Sequence, residues 1–348
     1  MKKNQLIEFT DRGLYCRQAD VYIDPWQPVD RAIITHGHSD HARWGMKSYL
    51  AHHDSRHILK HRLGEDIKLQ TLEYGEEITR NGVKISLHPA GHITGSAQVR
   101  LEYGGEIWVF TGDYKLEDDG LCTPFEPVKC HTFISECTFG LPIYKWKPQA
   151  EVFKDVNNWW RENRDAGKTC VIMGYALGKA QRILTNLDLS IGDVYAHGAV
   201  HAMNEVYRQS GIQLPTCKRI TVTTDRNAIR GSMVIAPPSA FGTPWMRKFA
   251  PVSVAFASGW MAVRGAKKRK AVDKGVILSD HADWPELLKA VEATGAEKVF
   301  ATHGYTSIFA RFLNESGIEA DEVRTDYGGD DDDGTAEPVE TAMPEPTN

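Results

Sequence analysis

Short apolar and β-branched runs mark the first third of the chain, at residues 20–23, 31–35, 83–88, 97–102 and 107–111. Turn signals such as Asn81-Gly82 and Gly104-Gly105 separate them, and the pattern predicts short strands. From about residue 148 the rhythm changes. Pro148 suits a first helical position, and Phe153, Val156, Trp159 and Trp160 then recur at helical spacing. Strands are expected at 169–173, 193–196, 233–236 and 252–257, with helices at 179–187 and 200–209. The end repeats the alternation: strand 275–278, helix 285–294, strand 298–302 and helix 307–316. Alternating strand and helix predicts parallel α/β units. No internal repeat is visible.

Composition narrows the class. The 348 residues are 41% hydrophobic and 25% charged, enough for two domain-sized cores. No apolar run is long enough to cross a bilayer. The start, MKKNQLIEFTDRG, lacks the apolar stretch of a signal peptide. Six scattered cysteines without a Cys-x-x-Cys pair read as reduced and mostly buried, and a cytoplasmic protein is expected. Net charge is −5, but residues 330–348 carry seven acids and no base. That Pro-rich tail is expected to be disordered, and the body is near neutral. Binding to nucleic acid would therefore need local basic patches.

The densest chemistry is ITHGHSDHARWG. His36, His38, Asp40 and His41 fall within six positions, just after the predicted strand 31–35. Imidazole and carboxylate are the usual ligands of zinc and related divalent metals. Four donors on so short a loop do not easily converge on one tetrahedral ion. They suit two neighbouring ions, with His36 and His38 on one side and Asp40 and His41 on the other. His92, Asp113, His281 and His303 each follow or precede a predicted strand in the same manner, and functional groups of α/β folds gather at the carboxyl ends of strands. Of the other histidines, His53, His57 and His61 share helical spacing and are expected on a solvated face. His52, His88, His131, His197 and His201 have no evident partner in the sequence.

THGHSDH, AGHITGSAQV, FTGDYK, ISECTFG, LSDHADW and THG follow one another in an order that resembles the metallo-β-lactamase-fold nucleases carrying a β-CASP insertion. GLYC, IDPWQPVDRAIITHGHSDHARWG and GYALGKAQR are most similar to the bacterial ligase-associated DNA exonucleases. The resemblance spans residues 13–327. It implies an α/β fold: an αββα sandwich from residues 1–140 and 271–328, with a β-CASP-like α/β cap inserted at 141–270 and a tail from 329. It implies two zinc ions, with manganese as the alternative. His36, His38 and His92 would hold one; Asp40, His41 and His303 the other; Asp113 would bridge them. Asp24, preferred over Asp20, would support the ligand loop, and Asp40 would also serve catalysis. His281, oriented by Glu136, would face the scissile phosphate and protonate the leaving oxygen. The implied activity is DNA exonucleolysis in repair, beside an ATP-dependent DNA ligase and a helicase. RNA-processing members of the family retain a histidine at the position of His303, so RNA is the alternative substrate.

Two stretches could meet that substrate. MGYALGKAQR is not a phosphate-binding P-loop, which needs four residues between its glycines and Ser or Thr after the lysine; here there are three, then Ala180. Lys179 and Arg182 on the helix that follows could still bind a backbone phosphate. RGAKKRK contains Lys267, Lys268 and Arg269 and is a candidate backbone-binding patch. Trp245 and Trp260 flank it as candidate stacking or core residues.

Overall fold

The computed structural model describes residues 5–263, 265, 268 and 271–326. Lys267, Arg269 and the acidic tail lie outside these residues. Two sheets of six and seven strands form the first architectural unit, and a third sheet of six strands forms the second. The first sheet runs in chain order from Glu8–Thr10 to Leu69–Leu72.

The second sheet carries the strands Val83–Pro89, Ala97–Tyr103, Glu106–Phe110, Thr132–Cys137 and Lys298–Gly304. Its side chains alternate between two interiors, as pleating requires. Trp108, Phe110, Ile134 and Phe300 face the first sheet, in one cluster with Leu14, Ile23 and Ile33. Val109, Phe133, Val299 and Ala301 face the other way. There Leu287 and Val291 of the helix Trp284–Thr294, and Phe309 and Leu313 of Thr306–Glu315, cover them. The outer side of the first sheet is closed by Leu59 of the helix Arg56–Leu63. The result is the four-layer αββα sandwich.

The third sheet is parallel throughout, as its alternation of strand and helix predicts. Cys170, Ile172, Met233 and Ile235 pack under Val156 and Trp160 of the helix Gln149–Asp165 and Ile183 and Leu184 of Lys179–Asn186. Val171, Met173, Val234 and Phe256 form a separate core on the opposite face.

Several expectations shift. Lys274–Val276 pairs with Val252–Ala257, so the cap sheet continues past residue 270 to Val276. Pro148 is the residue before the helix, not its first. The run 31–35 gives only Ala32–Ile33 as strand, because the chain leaves the ladder to present the ligand loop. Thr132–Cys137, buried at every position, has no alternating pattern and was not foreseen. All six cysteines are free thiols, five of them buried. Among the described residues, no helix is long and apolar enough to cross a membrane.

Candidate metal centre

The candidate ligands meet at one end of the sandwich. The local sequence explains why each can be there. Asp24, fully buried with a positive φ of 41°, anchors the loop. Its Oδ1 accepts the Thr35 amide at 2.8 Å and its Oδ2 accepts the Thr35 hydroxyl at 2.5 Å. The same Oδ2 lies 2.7 Å from His41 Nδ1. Asp20 stands elsewhere, on the surface with Arg31 and Tyr15. Gly91 and Gly95 give AGHITGS its shape: both have positive φ, and a Cβ on either would come within 2.4 Å of backbone, at Lys115 O and Ser55 N. Gly112 plays the same part before Asp113, because a Cβ there would strike Thr35 Oγ1 at 2.6 Å.

Hydrogen bonding fixes which imidazole nitrogen carries the proton. The Thr35 hydroxyl donates to Asp24, so it accepts from His36 Nδ1 at 3.0 Å. The Asp280 carbonyl can only accept, so His92 Nδ1–H donates to it at 2.7 Å. His41 Nδ1–H donates to the Asp24 carboxylate. His36 and His92 therefore turn an Nε2 lone pair inward, and His41 turns its Nε2 to the same point. These three atoms lie 3.4, 3.5 and 3.8 Å from the Asp113 carboxylate, for His36, His41 and His92 respectively. His36 Nε2 and Asp113 Oδ1 are buried and have no hydrogen-bond partner among the described residues.

Acceptors facing acceptors in a dry site call for a cation between them. The donor set, imidazole plus carboxylate, fits a divalent metal. Burial, reinforced by neighbouring imidazoles, holds His36 and His92 well below the usual histidine range and so neutral, as ligation needs. Burial also opposes a charge on His41, but Asp113, Asp40 and Asp24 outweigh it and raise that ring to about 10. Burial raises Asp113 to about 6 against the pull of His41 and His281.

Two groups of donors within 4.8 Å of one another emerge around these atoms: His36, His38, His92 and Asp113, and His36, Asp40 and His41. His36 thus belongs to both, where the resemblance implied only one. His303 takes part in no such group among the described residues. Its ring lies 6.4 Å from that of His41, on a backbone of positive φ at the end of Lys298–Gly304. A non-glycine residue in that region marks a position held by its surroundings.

A third group joins Asp113 to Glu136 and His281. His281 Nδ1 lies 2.8 Å from Glu136 Oε1, and its ring is 4.8 Å from that of His92. Glu136 also accepts from the amides of Tyr114 and Thr138, each at 3.1 Å, and from the Thr138 hydroxyl. Burial raises its pKa, but His281 and these donors outweigh it and hold the carboxylate ionised.

The expected substrate contacts sit differently. Arg182 is buried: Nε donates to Gln149 Oε1 at 2.6 Å, Nη1 to the Ser279 carbonyl at 2.6 Å and Asp280 at 3.1 Å, and Nη2 to Glu117 at 2.8 Å. Lys179, also buried, stands 3.7 Å from Asp280 and over the Tyr175 ring. Both cations are turned into the protein. Lys268 is exposed. Trp260 packs against Phe139 at 4.7 Å, and Trp245 against Phe249 and His197. His197 accepts the Ala199 amide at a helix start, His131 the Ile107 amide, and buried His52 stacks on Tyr74, all local roles the sequence did not signal.

The model of the Metallo-beta-lactamase superfamily matches residues 24–144. A "Probable DNA ligase" of Opitutus terrae is 34% identical over 312 residues, 88% of this chain and 30% of that protein. "Endoribonuclease YSH1" of Yarrowia lipolytica is 35% identical over 35% of this chain and 15% of its own length. "Cleavage and polyadenylation specificity factor 73" of Drosophila melanogaster is 26% identical over 45% of this chain and 24% of its own. The chain thus spans less than a third of each of these relatives. A crystal structure of a protein of unknown function from Enterococcus faecalis V583 superposes with a TM-score of 0.57 at 11% identity, covering 86% of this chain and 80% of that one, which is a likeness of fold alone. With the αββα layers and the histidine–aspartate cluster at their end, the match establishes residues 24–144 as part of a metallo-β-lactamase superfamily domain.

Proposed function

We propose that the protein is a metal-dependent nuclease that hydrolyses DNA phosphodiester bonds, with exonucleolytic repair as its role. The observation that carries the reading is the Glu136–His281 pair beside the ligand cluster, 4.8 Å from the His92 ring. His36, His38, His92 and Asp113 would hold one ion; Asp40 and His41, with Asp113 shared and His303 added as the resemblance implies, would hold a second. Zinc or manganese suits these donors. When bound, such ions supply positive charge against a phosphate and a nucleophile usable near neutral pH. The chain's own residues do the rest. Asp24 keeps the ligand loop in place. Glu136 holds His281 by Nδ1, and His281 Nε2 would give a proton to the leaving oxygen. The exposed Lys268, with Lys267 and Arg269 of the same run, would meet the polymer backbone.

Similarity over most of this chain to a segment of a longer protein named as a DNA ligase supports DNA as the substrate and action beside a ligase. A second reading, RNA cleavage, is favoured by His303 and by the shorter matches to proteins named as endoribonuclease. Single-stranded DNA and RNA, each labelled at the 5′ or the 3′ end, would be incubated with the protein and zinc or manganese. Metal-dependent shortening of DNA is expected, and the ladders give the polarity. Cleavage of RNA alone would transfer the proposal to the second reading; no cleavage of either polymer would overturn both.

A further inference from the structure

The cap reaches into the ligand cluster at two points. The first is Leu177, in the GYALG turn after the strand Thr169–Met173: its carbonyl lies 3.2 Å from His38 Nε2. The approach needs Gly178, which has φ +89°; a Cβ there would meet Ile93 Cγ2 at 2.3 Å and stand 3.9 Å from His38 Nε2. The second is Arg182, one helical turn on. Its Nη1 ties down both the Ser279 carbonyl and the Asp280 carboxylate, and Lys179 adds its charge on Asp280 from 3.7 Å. Asp280 is the residue whose carbonyl holds His92 Nδ1, and it immediately precedes His281.

We infer that the cap segment Leu177–Arg182 belongs to the metal centre as a positioning element: Leu177 orients His38 directly, and Arg182 orients His92 through the backbone of Asp280. Partners of this kind fix an imidazole's tautomer and direction, and their loss typically costs ~10–100-fold in metal affinity. The stretch that looks like a phosphate-binding turn thus acts on ligands instead of substrate. His38 and His92 also touch each other, with His92 Nε2 3.0 Å from His38 Nδ1, so a shift of one ring is felt by the other. The inference rests on the metal reading of the site and is independent of the nucleic acid cleaved.

Equilibrium dialysis of the apo-protein against zinc tests it, together with the visible absorption of the cobalt(II)-loaded form. Arg182→Gln is expected to weaken metal binding by ~10–100-fold and to change the cobalt spectrum. Arg161→Gln, at a cap surface pair with Asp188, serves as the control and is expected to change neither. Wild-type affinity and spectrum in Arg182→Gln, with only a lower melting temperature, would overturn the inference. Should that variant fail to fold, Glu117→Gln loosens the same guanidinium from its more exposed side, 28% accessible. It is expected to weaken zinc binding toward the lower end of that range, and unchanged affinity there would overturn the inference equally. A wild-type protein that takes up no metal would instead sink the metal reading itself.

Discussion

Two buried polar clusters lie side by side and differ in one respect. Around Arg182, cations and anions are matched: Lys115 meets Asp119 at 2.7 Å, Arg182 meets Glu117 and Asp280, and Lys179 stands by Asp280. Around Asp113, the Nε2 acceptors of His36 and His92 face a carboxylate, and among the described residues no Lys or Arg is paired with it. Apart from Glu117 at the edge of the first, both clusters are deeply buried. What separates structure from site is closure: the first cluster satisfies itself, while the second requires something the chain does not contain. An arginine that looks available in the sequence is committed in the fold, and histidines that look like a polar loop converge on a buried carboxylate.

The comparison can be broken from either side. The largest effect is expected at Asp113, which all three donor groups except that of Asp40 share. Asp113→Ala should lose bound metal and reduce nuclease activity to assay background; full activity without metal would sink the two-ion reading. Next comes His281→Ala, which should retain metal but slow turnover about 10²–10⁴-fold, the usual span for a lost general acid. A wild-type rate would remove His281 from the chemistry. On the closed side, Arg182→Ala leaves the buried Asp280 without its closest cation, and removal of one partner from such a pair costs about 3–5 kcal/mol. Urea unfolding would register this; a loss below 1 kcal/mol would mean that the cluster is wetter than its burial indicates.

Smaller effects come from pH. Burial alone would raise Asp280, but Lys179 and Arg182 outweigh it and depress its pKa. A depressed carboxyl contributes stability above its unfolded value, near 3.9, and that contribution is lost as pH falls through the folded value. Glu286 runs the other way: burial, then Asp283, raises it to about 7. Its protonated form is favoured in the fold, so the contribution of Glu286 to stability is greatest below about 4.5 and declines as pH rises toward 7. Glu286→Gln should therefore match the wild type near pH 4 and be the more stable of the two at pH 8. Equal thermal stability at both would show that the carboxyl is not shifted.

Much of this was legible in the sequence where local signals and tertiary structure agree. Gly91 and Gly95 around His92, and Gly112 before Asp113, mark tight turns, and the strands and helices of the cap follow strict alternation. The strand Thr132–Cys137 was not legible, because a strand buried on both faces has no period to detect. Nor were the roles of Lys179 and Arg182. Their partners Glu117 and Asp280 are 65 and 98 positions from Arg182, and nothing in GYALGKAQR encodes that meeting. His52 likewise gave no sign of stacking on Tyr74, 22 positions on, and His197 caps its helix although histidine is not among the usual capping residues.

The Arg182 cluster also sets a rule for domain exchange. A chimera that replaces only the inserted segment with the cap of a relative would import one half of a charge lock whose other half, Lys115, Glu117, Asp119 and Asp280, stays in the host sandwich. The unit that can be transplanted is therefore discontinuous: the cap with the loop at 115–119 and the turn at 279–281.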